Sequence, residues 1–302
     1  MKRVRVLLSV MLILLLSGCG SGQVSSQAED TSDAGEQGVS YTSWEDAPTN
    51  EYEREAITVD CDGQTVWGVA YVPKLDREKY PLVVCAHGLG GSYKSCVGYA
   101  RLLAMHGVAA YCFDFRGGGG THSDGDTTDM TLMTEVADVQ AVLAAARQWD
   151  FVDPDRVVLL GKSHGGAASA IAAARRPNDV CGMILIYPGF MIHDAIHEMY
   201  GSLDEVPDTF TFKGHKVGRA YAEAVWDYDV YGEIGSYAKP VLLMHGDQDK
   251  IVPVSYSDRA AQAYLDADYF VIAGAGHGFK DEQNEEAQRH VLDYLNRLGI
   301  FR

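Results

Sequence analysis

The sequence predicts an α/β fold built on a mostly parallel sheet, and three features point to it. Apolar runs of strand length, such as Pro81-Leu82-Val83-Val84-Cys85-Ala86 and Arg156-Val157-Val158-Leu159-Leu160, alternate with Ala-rich runs of helical length. Continuous apolar runs are what strands covered by helices on both faces look like. The chain has 302 residues, 47% of them hydrophobic and 10% aromatic, enough to build one large core. No repeat of solenoid period divides it.

The elements follow in order. Met1-Lys2-Arg3-Val4-Arg5 is basic, and Val6 through Leu16 is apolar but short for a membrane-spanning helix. The stretch ends in Leu16-Ser17-Gly18-Cys19, which resembles a bacterial lipobox. That resemblance implies a signal peptide over residues 1–18, removed on export, with a lipid on Cys19 anchoring the protein in the bacterial cell envelope. Residues 20–50 are rich in Ser, Gly, Gln, Asp, Glu and Thr, so residues 19–50 read as an anchored, flexible tether. The folded domain is then 51–302. It opens with two strands, Glu55–Val59 and Thr65–Val72, joined around Asp62-Gly63 as a hairpin at the leading edge of the sheet.

Composition narrows the function. The formal net charge is −17 and no basic stripe is present, which argues against a nucleic-acid partner. Apart from Cys19 there are five cysteines, Cys61, Cys85, Cys96, Cys112 and Cys181. Most sit in apolar strand-like runs, where cysteine acts as a small buried hydrophobe, so no disulfide framework is expected. None occupies a strand-to-helix turn suited to a nucleophile. His193 and His197 stand at i, i+4, a spacing that can bind zinc on one helix face. No third ligand follows them, and they read as surface histidines.

The chemistry gathers at strand ends. Gly161-Lys162-Ser163-His164-Gly165 lies between an apolar strand and an Ala-rich helix. Such a turn pushes a serine out at the end of the sheet, and its glycines let backbones pass closely. His87-Gly88-Leu89-Gly90-Gly91 ends the Pro81–Ala86 strand. Pro240–Gly246 is another strand, running into Asp247-Gln248-Asp249. Tyr269–Ala273 is a further strand, running into Gly274-Ala275-Gly276-His277-Gly278-Phe279. Asp249 follows Ser163 by 86 residues, and His277 follows Asp249 by 28. A serine, a carboxylate and a histidine in this order can make an acyl-transfer site.

These segments, with Asp114-Phe115-Arg116-Gly117-Gly118-Gly119, resemble the α/β-hydrolase superfamily, and within it the serine esterases similar to feruloyl (cinnamoyl) esterases. The likeness covers roughly residues 55–300; Lys162 departs from it, at a place where relatives often carry His or another bulky residue. The resemblance implies Ser163 as nucleophile, His277 as base and Asp249 as the acid orienting it, with Asp247 shaping the turn. The backbone N–H groups of Leu89 and His164 would form the oxyanion hole. His87, Asp114 and Arg116 are expected to shape loops. No metal or organic cofactor is required. About fifty residues, 189–239, separate Ile184–Pro188 from the next strand, too many for one crossover helix. They read as a cap inserted between the sixth and seventh strands, over the serine. The cap aromatics either line a substrate pocket or pack the cap's own core. The leading function is hydrolysis of hydroxycinnamoyl or short acyl esters through an acyl-enzyme. An oligopeptidase-like peptidase, a monoacylglycerol lipase and a non-catalytic binding lipoprotein are the alternatives.

Overall fold

The computed structural model describes residues 3–8, 44, 47, 49–120 and 122–301. The strands are β1 (Arg3–Leu8), β2 (Tyr52–Cys61), β3 (Gln64–Pro73), β4 (Tyr80–Ala86), β5 (Ala109–Phe113), β6 (Val152–Lys162), β7 (Gly182–Ile186), β8 (Thr209–Phe212), β9 (His215–Gly218), β10 (Val241–Gly246) and β11 (Asp266–Ile272). The helices are α1 (Val97–Met105), α2 (Leu132–Ala146), α3 (His164–Arg175), α4 (Ile192–Met199), α5 (Arg219–Glu223), α6 (Val230–Ile234), α7 (Ser255–Ala263) and α8 (Asp281–Arg297). Nine strands form one sheet in the order β1-β11-β10-β7-β6-β4-β5-β3-β2. Among the described residues of this sheet, only the β2–β3 and β3–β5 pairings are antiparallel. The chain has the α/β-hydrolase fold the sequence predicts.

Side-chain alternation explains the two-sided cover. On β4, Leu82, Val84 and Ala86 face a core that includes Val136, Val139 and Leu143 of α2 and Ala167 and Ile171 of α3. Val83 and Cys85 face the other core, with Leu103 of α1 and Val291 and Leu295 of α8. Adjacent residues of a strand point to opposite faces, so both sets must be apolar, and the strand reads as an unbroken hydrophobic run. The β2–β3 hairpin turns through Asp62 (φ 55°) and Gly63 (φ 79°), the pair of left-handed residues that a two-residue hairpin requires.

Strand β1 is an element the sequence reading does not foresee. Arg3–Leu8 pairs parallel to β11, Arg3 opposite Asp266 and Leu8 opposite Val271. Without it β11 would be the edge of the sheet, and a Val-rich segment satisfies such an edge through backbone hydrogen bonds alone. The segment falls within the stretch that the lipobox reading assigns to a removed signal peptide. Cys19 and most of the tether lie outside the described residues. Among the described residues, no helix is long and apolar enough to cross a membrane.

The sheet places the site. Strands β6 and β4 are neighbours, but β6 leads on to β7 on one side while β4 leads on to β5 on the other. Loops leaving the carboxyl ends of such a pair diverge and open a crevice, the usual ligand position in an open α/β sheet. Counting from β2, the cap lies between the sixth and seventh strands of this sheet. It consists of α4, the β8–β9 hairpin, α5 and α6.

Candidate active site

Ser163 sits between β6 and α3 with φ 52° and ψ −119°, a conformation a non-glycine residue rarely adopts. Its neighbours hold it there. The Ser163 N–H donates to the Ile186 carbonyl at 2.9 Å, and its own carbonyl accepts from Gly166 and Gly189 at 2.9 and 2.8 Å. A Cβ on Gly161 would stand 2.5 Å from the Gly165 carbonyl oxygen, and one on Gly165 would run into the His87 carbonyl oxygen. Both positions therefore demand glycine, for close approach rather than for a left-handed backbone.

Three side chains distant in sequence meet at this turn. His277 Nε2 lies 2.9 Å from Ser163 Oγ, and His277 Nδ1 lies 2.7 Å from Asp249 Oδ2. With Nδ1–H donating to the carboxylate, Nε2 is left to accept from the serine hydroxyl. The other Asp249 oxygen accepts from the Ile251 and Val252 N–H groups, both at 2.9 Å. Burial alone would raise the Asp249 carboxyl. Hydrogen bonds from His245, His277 and the Val252 N–H outweigh it and hold the group well below the usual carboxylate range. Asp247 does not enter the relay. Its carboxylate accepts from the Gly274 N–H at 2.7 Å and shapes the loop that carries His277.

The two expected oxyanion donors face the same cavity. Leu89 and His164 both line it, and among the described residues neither backbone N–H has a hydrogen-bond partner. His164 opens α3, so the helix dipole adds positive potential there. Gly88 keeps the loop close, since a Cβ there would stand 3.1 Å from Ser163 Cβ. His87 braces that loop. Its Nδ1–H donates to the Gly88 carbonyl at 2.8 Å and its Nε2 accepts from the Phe115 N–H at 3.1 Å. Burial pulls its imidazole below the ordinary range, in keeping with the neutral form those partners need. Asp114 and Arg116 likewise serve loop geometry. Asp114 accepts from the Tyr93 N–H at 2.6 Å and contacts His122 at 2.9 Å, and Arg116 pairs with buried Asp138 at 2.5 Å.

The cavity beside Ser163 measures about 290 Å³. The scaffold supplies Leu89, Tyr187 and Ile251 to its wall, and the cap supplies Met191, Ile192 and Phe212. Most other cap aromatics pack the cap itself. Tyr221 stands against Phe212 with ring centres 5.1 Å apart, and Phe210 against Tyr200 at 5.5 Å. His193 contacts Asp194 at 2.8 Å, and His197 donates to the Trp226 carbonyl at 2.8 Å. Among the described residues, no group of three or more His, Cys, Asp or Glu is placed to hold a metal ion. Cys61, Cys85, Cys96, Cys112 and Cys181 are all free thiols.

Two buried networks behind the site carry no sequence motif. The His164 imidazole, to which the sequence gives no role, bridges Glu135 of α2 and Tyr221 of α5. Nδ1 meets Glu135 Oε2 at 2.5 Å and Nε2 meets the Tyr221 hydroxyl at 2.9 Å. His245 Nε2 lies 2.9 Å from the Val252 carbonyl and 3.2 Å from Asp249 Oδ2, while Nδ1 accepts from the Ser257 hydroxyl at 2.7 Å. A buried polar side chain must find a partner, and that was the available clue. Glu135 on a helix face that is apolar apart from it and Asp138 signals a buried contact without naming the other end.

The fold is that of an α/β hydrolase, and the relatives support a hydrolase activity. A family model described as serine aminopeptidase, S33, matches residues 77–221, and one described as alpha/beta hydrolase fold matches residues 210–283. Est1E from Butyrivibrio proteoclasticus, solved with ferulic acid bound, superposes with a TM-score of 0.73 and 27% identity, over 81% of this chain and 100% of that one. The quorum-quenching protein AidA of Acinetobacter baumannii is 31% identical over 138 residues, which is 45% of this chain and 44% of the relative. The match thus spans less than half of that protein's length. Monoacylglycerol lipase of Mycolicibacterium smegmatis is 25% identical over 253 residues, 72% of this chain and 87% of the lipase.

Proposed function

We propose that the protein is a serine carboxylic ester hydrolase working through an acyl-enzyme, on hydroxycinnamoyl or short acyl esters. The observation that carries this is the continuous relay from Ser163 Oγ to His277 to Asp249, at 2.9 and 2.7 Å, beside two backbone N–H groups without a partner among the described residues. His277 takes the hydroxyl proton through Nε2 as Oγ attacks the ester carbonyl, and Asp249 stabilises the resulting imidazolium. The carbonyl oxygen gains charge as the carbon becomes tetrahedral, and the N–H groups of Leu89 and His164 receive it. Each such donor lowers the barrier by roughly 3–4 kcal/mol. The imidazolium then gives its proton to the departing alcohol. Water, deprotonated by His277, attacks the acyl-serine and releases the acid.

Support for the aryl ester comes from the Est1E likeness and from a cavity walled by Tyr187 and Phe212. A turnover panel of methyl ferulate, acetyl, butyryl and long-chain esters and aminoacyl amides tests it, with Ser163→Ala as the blank. Preference for ferulate or short acyl esters upholds the reading. Preference for amides would favour the peptidase reading, which has the family description over residues 77–221 behind it. Preference for long-chain esters would favour a lipase.

The same proposal places the protein in a bacterial envelope, exported, cleaved before Cys19 and lipid-anchored there, with residues 19–50 as tether. Cleavage would remove β1 and leave β2–β7, β10 and β11, an eight-stranded sheet that keeps every residue of the site. A Cys19→Ala variant that stays with the membrane fraction would refute the anchor.

A further inference from the structure

The protein is strongly acidic overall, yet the wall of its cavity is not. No Asp or Glu is among the residues lining it, and two lysines are, Lys162 and Lys213. Asp249 lies behind His277, its charge engaged by two histidines and two N–H groups. Lys94 and Lys250, both exposed, are the chain neighbours of the lining residues Ser95 and Ile251. The local positive balance is therefore set against the sign of the whole chain.

The two lining lysines differ in how they are held. Lys162 is half-buried and donates to the Ser95 carbonyl at 2.9 Å. Burial would lower its ammonium pKa, but Tyr187 and Cys96 beside it outweigh that and shift it upward, so it stays charged. Lys213 is exposed, and among the described residues its ammonium has no ion-pair partner. It sits at φ 48°, first of the two turn residues, Lys213 and Gly214, that join β8 to β9. Such a turn favours Asn, Asp or Gly at that place. A lysine held left-handed on the cap hairpin, in the wall of the cavity, is local strain at the mouth of the site. His215, the first residue after the turn, fills the space beside Gly90, where a Cβ would collide with its ring.

We infer that the preferred substrates are esters carrying an anionic carboxylate, held at the cavity mouth by Lys213 with Lys162 deeper inside. This rests on the esterase reading and narrows it: the uncleaved part of the substrate brings a negative charge, as in a monoester of a dicarboxylic acid. The carboxylate replaces water around an otherwise unpaired ammonium. At this exposed position such a pair is worth up to about fivefold in affinity, and added salt weakens it.

The test is calorimetric binding to the full chain carrying Ser163→Ala, which cannot turn the ligand over. Ethyl hydrogen adipate is compared with diethyl adipate, and the ratio of their affinities is measured again with Lys213→Gln and Lys213→Glu added. Lys213 is exposed, so folding tolerates both changes. The expected result is a ratio of about five favouring the monoanion, falling with salt, lost in Lys213→Gln and inverted in Lys213→Glu. Equal affinities, or a ratio the same in all three proteins, would overturn the inference. The esterase reading fails separately, by absence of turnover of every ester of the panel, methyl ferulate included, in the wild-type chain.

Discussion

Replacing Asp249 by Asn probes the relay where it is most constrained. The carboxylate accepts four hydrogen bonds, from the Ile251 and Val252 N–H groups on Oδ1 and from His277 and His245 on Oδ2. An asparagine can keep its carbonyl oxygen on the two backbone donors. Its NH2 then faces His277 Nδ1, which is itself a donor. The clash resolves if His277 changes tautomer, Nδ1 accepting and Nε2 carrying the proton. In that state Nε2 cannot take the Ser163 proton, although it still lies 2.9 Å from Oγ. The expected loss in kcat is about 10⁴-fold, or roughly 5 kcal/mol of barrier. The assay is steady-state hydrolysis of p-nitrophenyl butyrate, with circular dichroism confirming the fold. Asp247→Asn is the matched control. It disturbs only the 2.7 Å bond from the Gly274 N–H and should cost less than about tenfold. Activity of Asp249→Asn within tenfold of wild type, or an equal loss in Asp247→Asn, would refute the tautomer argument.

Other expectations follow from the same contacts. Tyr221→Phe leaves His164 Nε2 buried without a donor and should cost about 1–3 kcal/mol in urea unfolding; an unchanged midpoint would show that the Glu135–His164–Tyr221 bridge is idle. Gly165→Ala drives a methyl into the His87 carbonyl oxygen and should lower stability by about 1–3 kcal/mol together with ester turnover, both measured on the purified variant. The Asp249 carboxyl lies lower in the folded than in the unfolded chain, so its ionisation stabilises the fold above the ordinary carboxylate pKa of about 4, and that contribution falls away as pH drops toward the folded value. The stability gap between wild type and Asp249→Asn should accordingly narrow between about pH 5 and pH 2 in urea titrations; a gap that widens there has the wrong sign for this linkage.

How far the sequence reaches differs between fold and site. Strands β4, β7 and β10 and the Val157–Leu160 stretch of β6 were legible because burial on both faces leaves apolar runs, broken in β10 only by His245, and the turn glycines around Ser163 were legible because no Cβ fits there. Ser163 and Asp249 each follow such a strand and His277 follows the more polar β11, so their convergence at the carboxyl ends of the strands follows from parallel topology. Asp249 rather than Asp247 came from the pattern of the resemblance, and the structure gives the reason: Asp247 turns toward Gly274 while Asp249 turns toward His277. The bridge from Glu135 through His164 to Tyr221 was not legible. Its members come from a crossover helix, the serine turn and the cap, and nothing local to any one of them specifies the others. The pairing of Arg3–Leu8 with β11 was hidden for a different reason, since basic and apolar residues ahead of a lipobox-like Cys19 read first as a targeting segment.

The central claim is that the Ser163 hydroxyl is a nucleophile activated by His277. Intact-mass and peptide analysis after reaction with a fluorophosphonate tests it most directly. The account predicts a single phosphonyl adduct on the peptide containing Ser163, absent in Ser163→Ala and formed far more slowly in His277→Ala. No adduct on the wild-type protein, or an adduct formed equally fast without the His277 imidazole, would contradict it.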